Sequence, residues 1–289
     1  MKDASGTVID GRYTLVSRLG GGGAGTVYRA TDDAGRAVAV KLLDPALGQR
    51  AEMRERFERE ARALNGLSHP HLIRILDFGV HEKTPYTVME LLTGLALDQM
   101  LEKKPLPLPV AFEIGMGVVA GLSHAHTHGV LHRDVKPANV FVAVLQCAKL
   151  HPKLLDFGLA RFTDSERWGA HATLTNEGTV LGTPAYMPPE QGLGSRVDAR
   201  SDVYAAGVLL YELLAGHPPF VHESRASMIR AHVLSPVPPL AEARPGLAVQ
   251  PALQAALDKA LAKKAADRFE DARALLEALQ RVPEPAAWT

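Results

Sequence analysis

The chain is poor in cysteine, in aromatic residues and in net charge, and each shortage removes a class of protein. A single cysteine, Cys147, excludes an intramolecular disulfide and any all-cysteine zinc or iron–sulfur site. It fits a reducing compartment, so a cytoplasmic location is expected. Lys+Arg and Asp+Glu number 32 each and cancel. The net basic footprint of a protein that coats nucleic acid by neutralising phosphates is therefore missing, and no nucleic-acid partner is expected. The first residues hold no apolar h-region, so no secretory signal is expected. The most apolar window, residues 203–214, is too short to span a bilayer and carries Glu212, so no membrane segment is expected within this chain. What is present is ordinary globular composition, 46% apolar and 22% charged, which rules out disorder or coiled coil as a global description. A length of 289 residues points to two lobes or domains.

The pattern divides the chain near residue 92. Before it, Tyr13-Thr14-Leu15-Val16 and Thr26-Val27-Tyr28-Arg29-Ala30 flank a glycine run, and Arg36-Ala37-Val38-Ala39-Val40-Lys41 alternates as a strand does. Residues 50–66 pair Glu and Arg at helical spacing around Phe57, Ala61 and Leu64, and strand-like runs follow at 72–78 and 86–92. After it, long apolar helices are predicted at 110–128 and 201–216, with two more at 251–264 and 270–281. The Gly/Thr/Pro-rich stretch 156–198 is too long for a simple connector. Residues 282–289 read as a tail.

Three groups of residues carry chemistry. Gly20-Gly21-Gly22-Gly23-Ala24-Gly25 holds G-x-G-x-x-G at Gly20, Gly22 and Gly25. A dinucleotide loop runs from strand into helix, whereas Thr26-Val27-Tyr28 continues as a strand. A strand–loop–strand flap whose backbone N–H groups reach phosphate oxygens is the better reading. Lys41 ends the next strand, 16 residues after Gly25, where a cation can hold nucleotide phosphates. Glu60 on the charged helix is a candidate partner for that ammonium. Finally, His132-Arg133-Asp134-Val135-Lys136-Pro137-Ala138-Asn139 is followed by Asp156-Phe157-Gly158. Phosphoryl transfer needs a carboxylate at the attacking hydroxyl, for which Asp134 is suited. It also needs oxygen ligands for a divalent cation beside the phosphates, which Asn139 and Asp156 offer.

Over residues 10–281 the sequence resembles the protein kinase superfamily, and within it the bacterial Ser/Thr (Hanks-type) protein kinases. The flap, Lys41, Glu60, the catalytic loop and Asp156-Phe157-Gly158 carry the resemblance. So do Gly182-Thr183-Pro184-Ala185-Tyr186, Pro188-Pro189-Glu190, Asp202 and Arg268. The resemblance implies an α+β, bilobal kinase fold: a mostly-β N-lobe over 10–92, with a five-stranded sheet and one helix, and a mostly-α C-lobe over 93–281. It implies ATP with Mg²⁺, or Mn²⁺, as cofactors, protein substrates, autophosphorylation and pairing of two copies for that step. Asp134 would orient the acceptor hydroxyl and Lys136 would neutralise the γ-phosphate. Asn139 and Asp156 would ligate the metal, and Thr183 would join the catalytic group. Leu19, Gly20, Gly22, Gly25, Val27, Ala39, Lys41, Glu60 and Phe141 would surround ATP, with Met89 as gatekeeper and Glu90 and Leu92 in the hinge. Leu64, Ile75, His132 and Phe157 would stack as a spine anchored by Asp202. Glu190 and Arg268 would form an ion pair.

Three departures from the family pattern stand out. Pro188 replaces the usual alanine, Ala138 stands where arginine-directed kinases carry glutamate, and the interval from Asn139 to Asp156 is extended, with the extra length expected in an exposed hairpin around 146–152. For regulation, Arg133 needs an anion. Thr175 and Thr179 are candidate phosphorylation sites, and Glu177 stands where relatives often carry threonine, so it is a candidate permanent anion. Histidines 124, 126, 128 and 132 suggest a metal site by spacing but lack a completing ligand, and are read as structural. The rival readings are a small-molecule kinase of the same fold, which normally lacks the 182–190 segment, and a pseudokinase scaffold. The latter typically loses Lys41, Asp134 or Asp156, and all three are present.

Overall fold

The structure is a computed structural model that describes residues 3–22, 25–45, 51–102, 105–144, 150–157 and 184–283, with the backbone alone at 22, 51–53, 56 and 60. These residues form two compact units, one ending at Thr93, the other made of Gly94–Phe157 and residues 184–283.

The first unit is an antiparallel sheet with one long helix. Its strands are β1 (Val8–Ile9), β2 (Tyr13–Gly22), β3 (Gly25–Thr31), β4 (Ala37–Leu43), β5 (Ile75–His81) and β6 (Thr84–Glu90), in the order β1-β2-β3-β4-β6-β5. Helix α1 is Ala51–Asn65. The sheet thus has six strands, not the expected five. The additional edge strand β1 exists because Asp10 and Gly11 both adopt positive φ (51° and 67°), closing a tight turn in which Arg12 N–H donates to the Ile9 carbonyl.

The two faces of this sheet differ in composition. Val38, Val40 and Leu42 of β4 join Tyr28, Ala30, Tyr86, Val88, Tyr13 and Leu15 in one apolar cluster. Strand alternation puts Ala39 and Lys41 on the opposite face. There Val27 and Thr87 stand directly across from Lys41, and Met89 across from Ala39. Helix α1 packs on β5, with the Phe57 ring meeting Phe78 edge-on at 6.4 Å. Phe78 pairs with Thr87, so α1 covers the Lys41 face.

In the second unit, β7 (Gly94–Ala96), β8 (Val140–Val144) and β9 (Leu150–Leu154) form a small antiparallel sheet. The helices are α2 (Leu97–Leu101), α3 (Leu108–Thr127), α4 (Pro189–Gly192), α5 (Ala199–Ala215), α6 (Arg225–Leu234), α7 (Leu240–Ala243), α8 (Pro251–Ala260) and α9 (Ala272–Leu279). The centre is α3 against α5, flanked by α9. A Cβ at Gly115 would lie 2.5 Å from Leu210 Cδ1, so glycine there permits the close approach of α3 to α5. Helix α3 is longer than the window singled out in the sequence and is apolar enough, by length and composition, to cross a membrane. Its ten buried residues instead face the interior of this unit. Helix α5 starts at Asp198, whose side chain accepts from Arg200 N–H, and stops at Gly216 in the left-handed region (φ 90°). The β8–β9 hairpin pairs Val144 with Leu150. The extra residues 145–149, with Cys147, lie outside the described residues.

Candidate active site

In the first unit, Gly20 pairs with Val27 and Gly22 with Gly25, so the glycine run closes a strand–turn–strand hairpin and does not open a helix. Gly25 takes φ 138°, and a Cβ there would lie 2.1 Å from the Leu42 carbonyl oxygen; no other residue fits. Leu19 is exposed on β2. Lys41 is buried at 4% exposure, with Ala39 and the half-buried Val27 beside it on the same face. Met89 and Glu90 end β6, and Leu92 follows two residues later, outside any helix or strand. Glu60 lies on α1 three residues after the buried Phe57 and four before the buried Leu64; its side chain is outside the described residues. Leu64 and Ile75 are buried.

In the second unit, the catalytic-loop residues converge. Lys136 Nζ donates to Asp134 Oδ2 at 2.7 Å, and Asn139 Nδ2 donates to the same oxygen and to the Asp134 carbonyl, each at 2.8 Å. Asp134 Oδ1 accepts from none of the described residues. One oxygen of the carboxylate is therefore fixed by two donors. Asn139 commits its amide nitrogen to Asp134, and its Oδ1 likewise has no partner among the described residues. The Asn139 carbonyl accepts from Leu155 N–H at 2.8 Å, which ties this turn to the residue before Asp156. A carboxamide oxygen and a carboxylate are the hard donors that a divalent cation such as Mg²⁺ takes, so the residues present fit such an ion.

Two non-glycine residues here have left-handed backbone, Arg133 (φ 66°) and Asp156 (φ 55°), a conformation that costs on the order of 1–3 kcal/mol and tends to cluster at functional sites. Asp202, in the first turn of α5 and 1% exposed, holds the loop in place. Its Oδ2 accepts from His132 N–H at 2.7 Å and its Oδ1 from Arg133 N–H at 2.6 Å. His126 contributes a third bond at 3.0 Å to Oδ2, while His126 Nδ1 accepts from Ala272 N–H, so Nε2 carries the proton. Burial alone would raise the Asp202 pKa, but His126 and the Arg133 N–H outweigh it and hold the carboxylate below its ordinary range. His132 directs Nε2 at the Leu155 carbonyl at 2.8 Å, and its ring packs on Phe157 at 4.5 Å. Both histidines are thus structural, as expected. His128 Nδ1 likewise turns back to the His124 carbonyl oxygen. Phe141 is half-buried on β8 between Ala96 and Lys153.

The expected Glu190–Arg268 pair is present and two-pronged, at 2.8 and 2.9 Å. Nothing in the local pattern pointed to the bond from Ser201 Oγ to Glu190 Oε1 or to the three backbone carbonyls that complete the Arg268 site. Thr183 of the expected catalytic group, the regulatory candidates Thr175, Glu177 and Thr179, and Gly158 fall outside the described residues.

A six-stranded sheet with one covering helix, a helical unit, and a lysine–aspartate–asparagine loop beside a left-handed aspartate are the parts of a protein kinase fold. The chain matches the protein kinase domain over residues 13–278, and it belongs to that family. Its curated relatives include the serine/threonine-protein kinase Pkn1 of Myxococcus xanthus, 40% identical over 93% of this chain and 38% of Pkn1. The DNA damage-responsive serine/threonine-protein kinase RqkA of Deinococcus radiodurans is 40% identical over 98% of this chain and 41% of its own length. The chain therefore spans well under two thirds of these relatives. The crystal structure of the Mycobacterium tuberculosis PknI kinase domain superposes with a TM-score of 0.74 at 31% identity, covering 96% of this chain and 98% of that one.

Proposed function

We propose that this domain transfers the γ-phosphoryl group of ATP to serine or threonine hydroxyls of protein substrates, including other copies of itself, in a cytoplasmic signalling pathway. The observation that carries the reading is the Asp134 carboxylate, with one oxygen held by Lys136 and Asn139 and the other unpartnered among the described residues. Asp134 Oδ1 accepts the proton of the attacking hydroxyl. Lys136, held against the same carboxylate, places its positive charge where the transferred phosphoryl develops negative charge. Lys41 holds the nucleotide phosphates from beneath the Gly20–Gly25 hairpin, and the chain from Met89 to Leu92 takes the adenine. Asn139 Oδ1 and the Asp156 carboxylate would hold a divalent cation, Mg²⁺ in this reading, which would supply charge neutralisation at the phosphates. Arg133 awaits an anion, supplied in part by Glu177 and in full by phosphorylation of Thr175 or Thr179.

The test is phosphotransfer from radiolabelled ATP and Mg²⁺ to a generic basic protein by the wild-type domain and the Asp156→Asn and Asp134→Asn variants. Wild type should label both the acceptor and itself, and each variant should stay folded and lose activity by a factor on the order of 10² or more. A folded wild type that labels no protein would reject the reading in favour of a scaffold, and one that labels only small-molecule acceptors would favour a metabolite kinase.

A further inference from the structure

Thr87 lies directly opposite Lys41 across the β4–β6 ladder. It is 1% exposed, and its hydroxyl oxygen has no hydrogen-bond partner among the described residues. Its neighbour on the other side is Phe78, against which Phe57 of α1 packs. A buried hydroxyl without a partner costs free energy that a valine of the same shape does not. The strand itself therefore gives no reason for threonine at this place.

Lys41 gives one. Its side chain is nearly as buried as Thr87, and an ammonium carries three N–H donors. Phosphate oxygens lie to one side of a lysine that grips a nucleotide. A donor turned back toward the sheet needs an acceptor, and water has little access at this depth. Directly opposite residues on one face of an antiparallel pair have Cβ atoms about 5 Å apart, within the sweep of a four-carbon stem.

We propose that Thr87 is a positioning residue for Lys41: its hydroxyl oxygen accepts a hydrogen bond from the Lys41 ammonium when that group takes its working position on the nucleotide phosphates. The inference rests on the reading of Lys41 given above. The bond forms when phosphates draw the lysine into line, which affects the transfer step more than nucleotide capture.

The experiment compares Thr87→Val, which keeps shape and removes the hydroxyl, with Thr87→Ser, which keeps the hydroxyl, and with Lys41→Met. Thermal midpoint without nucleotide, kcat, and KM for ATP are measured on each. Thr87→Val should unfold no earlier than wild type, with kcat about tenfold lower and KM for ATP within about twofold. Thr87→Ser should recover most of the lost kcat. A Thr87→Val variant with wild-type kcat, or a Thr87→Ser variant as slow as the valine, overturns the assignment. A clearly lowered midpoint in Thr87→Val also overturns it, because the hydroxyl would then already be bonded in the free fold. If Lys41→Met turns over at the wild-type rate, the reading of Lys41 fails and that of Thr87 with it. An inactive Lys41→Met beside an unimpaired Thr87→Val removes Thr87 alone.

Discussion

Arg133, in left-handed backbone, donates its N–H to Oδ1 of the buried Asp202 over 2.6 Å. The strain sits one residue before Asp134, and the restraint comes from a helix 69 residues further along the chain. Asp134 is therefore positioned by α5 as much as by its own loop.

Replacing Asp202 with alanine should destabilise the domain by roughly 3–5 kcal/mol, the range for removing one member of a buried charged network, and abolish phosphotransfer. Asp202→Asn keeps one acceptor and should lose less. The pH dependence has a definite sign. Because the folded-state pKa lies below the ordinary 3.8, the carboxylate contributes stability that is present above about pH 4 and lost as pH falls through the folded value. Urea unfolding between pH 3 and 6 should show a shallower acid loss in Asp202→Asn than in wild type, and parallel curves would exclude the linkage.

Arg268 uses all five of its N–H donors, two on Glu190 and three on the carbonyls of Ala262, Arg200 and Lys263. Burial raises the Glu190 pKa, but Arg268 and Ser201 more than offset it and keep the carboxylate ionised. Arg268→Lys cannot reproduce the fork. A double-mutant cycle with Glu190→Gln and Arg268→Lys should give a coupling energy of about 2 kcal/mol or more; additive effects would show that the two side chains act independently.

Lys263 donates to the His232 carbonyl at 3.0 Å and lies 4.6 Å above the Phe220 ring. Burial, then the charge of Arg268, lowers its pKa to about 8 from 10.5. Between those values the unfolded chain binds a proton that the folded domain has released, so stability rises with pH, by at most about 1.4 kcal/mol per unit. The difference in unfolding free energy between wild type and Lys263→Met should therefore change in favour of wild type from pH 8 to 10. A constant difference would show that Lys263 keeps its ordinary pKa.

Ala138 is exposed in the short turn between Lys136 and Asn139 and offers no carboxylate to a basic substrate residue. Wild type should be indifferent to arginine two or three residues before the acceptor. Ala138→Glu should favour such peptides by about fivefold in kcat/KM, equivalent to one exposed ion pair of about 1 kcal/mol. A peptide array in which wild type already demands arginine would refute this.

The sequence by itself determined which chemistry is present. Gly20 to Gly25 with a following β-branched strand, and Asp134, Lys136 and Asn139 at short spacing, are local patterns whose backbone and donor requirements can be read without a fold. Helices such as α5 were legible for the same reason, since the long apolar run up to Gly216 is a local pattern, whereas the Asp198 cap that starts the helix was not read from the sequence. What lay beyond local pattern was missed or left incomplete. The edge strand β1 depended on a turn at Asp10-Gly11 that is too short to show periodicity. The Ser201 bond to Glu190 and the Ala272 bond to His126 join residues 11 and 146 positions apart. The idle hydroxyl of Thr87 has meaning only once ladder register places it across from Lys41. Tertiary structure decided these because burial removes water as an alternative partner: a polar group then depends on whichever chain segment packs beside it, and sequence distance carries no record of that.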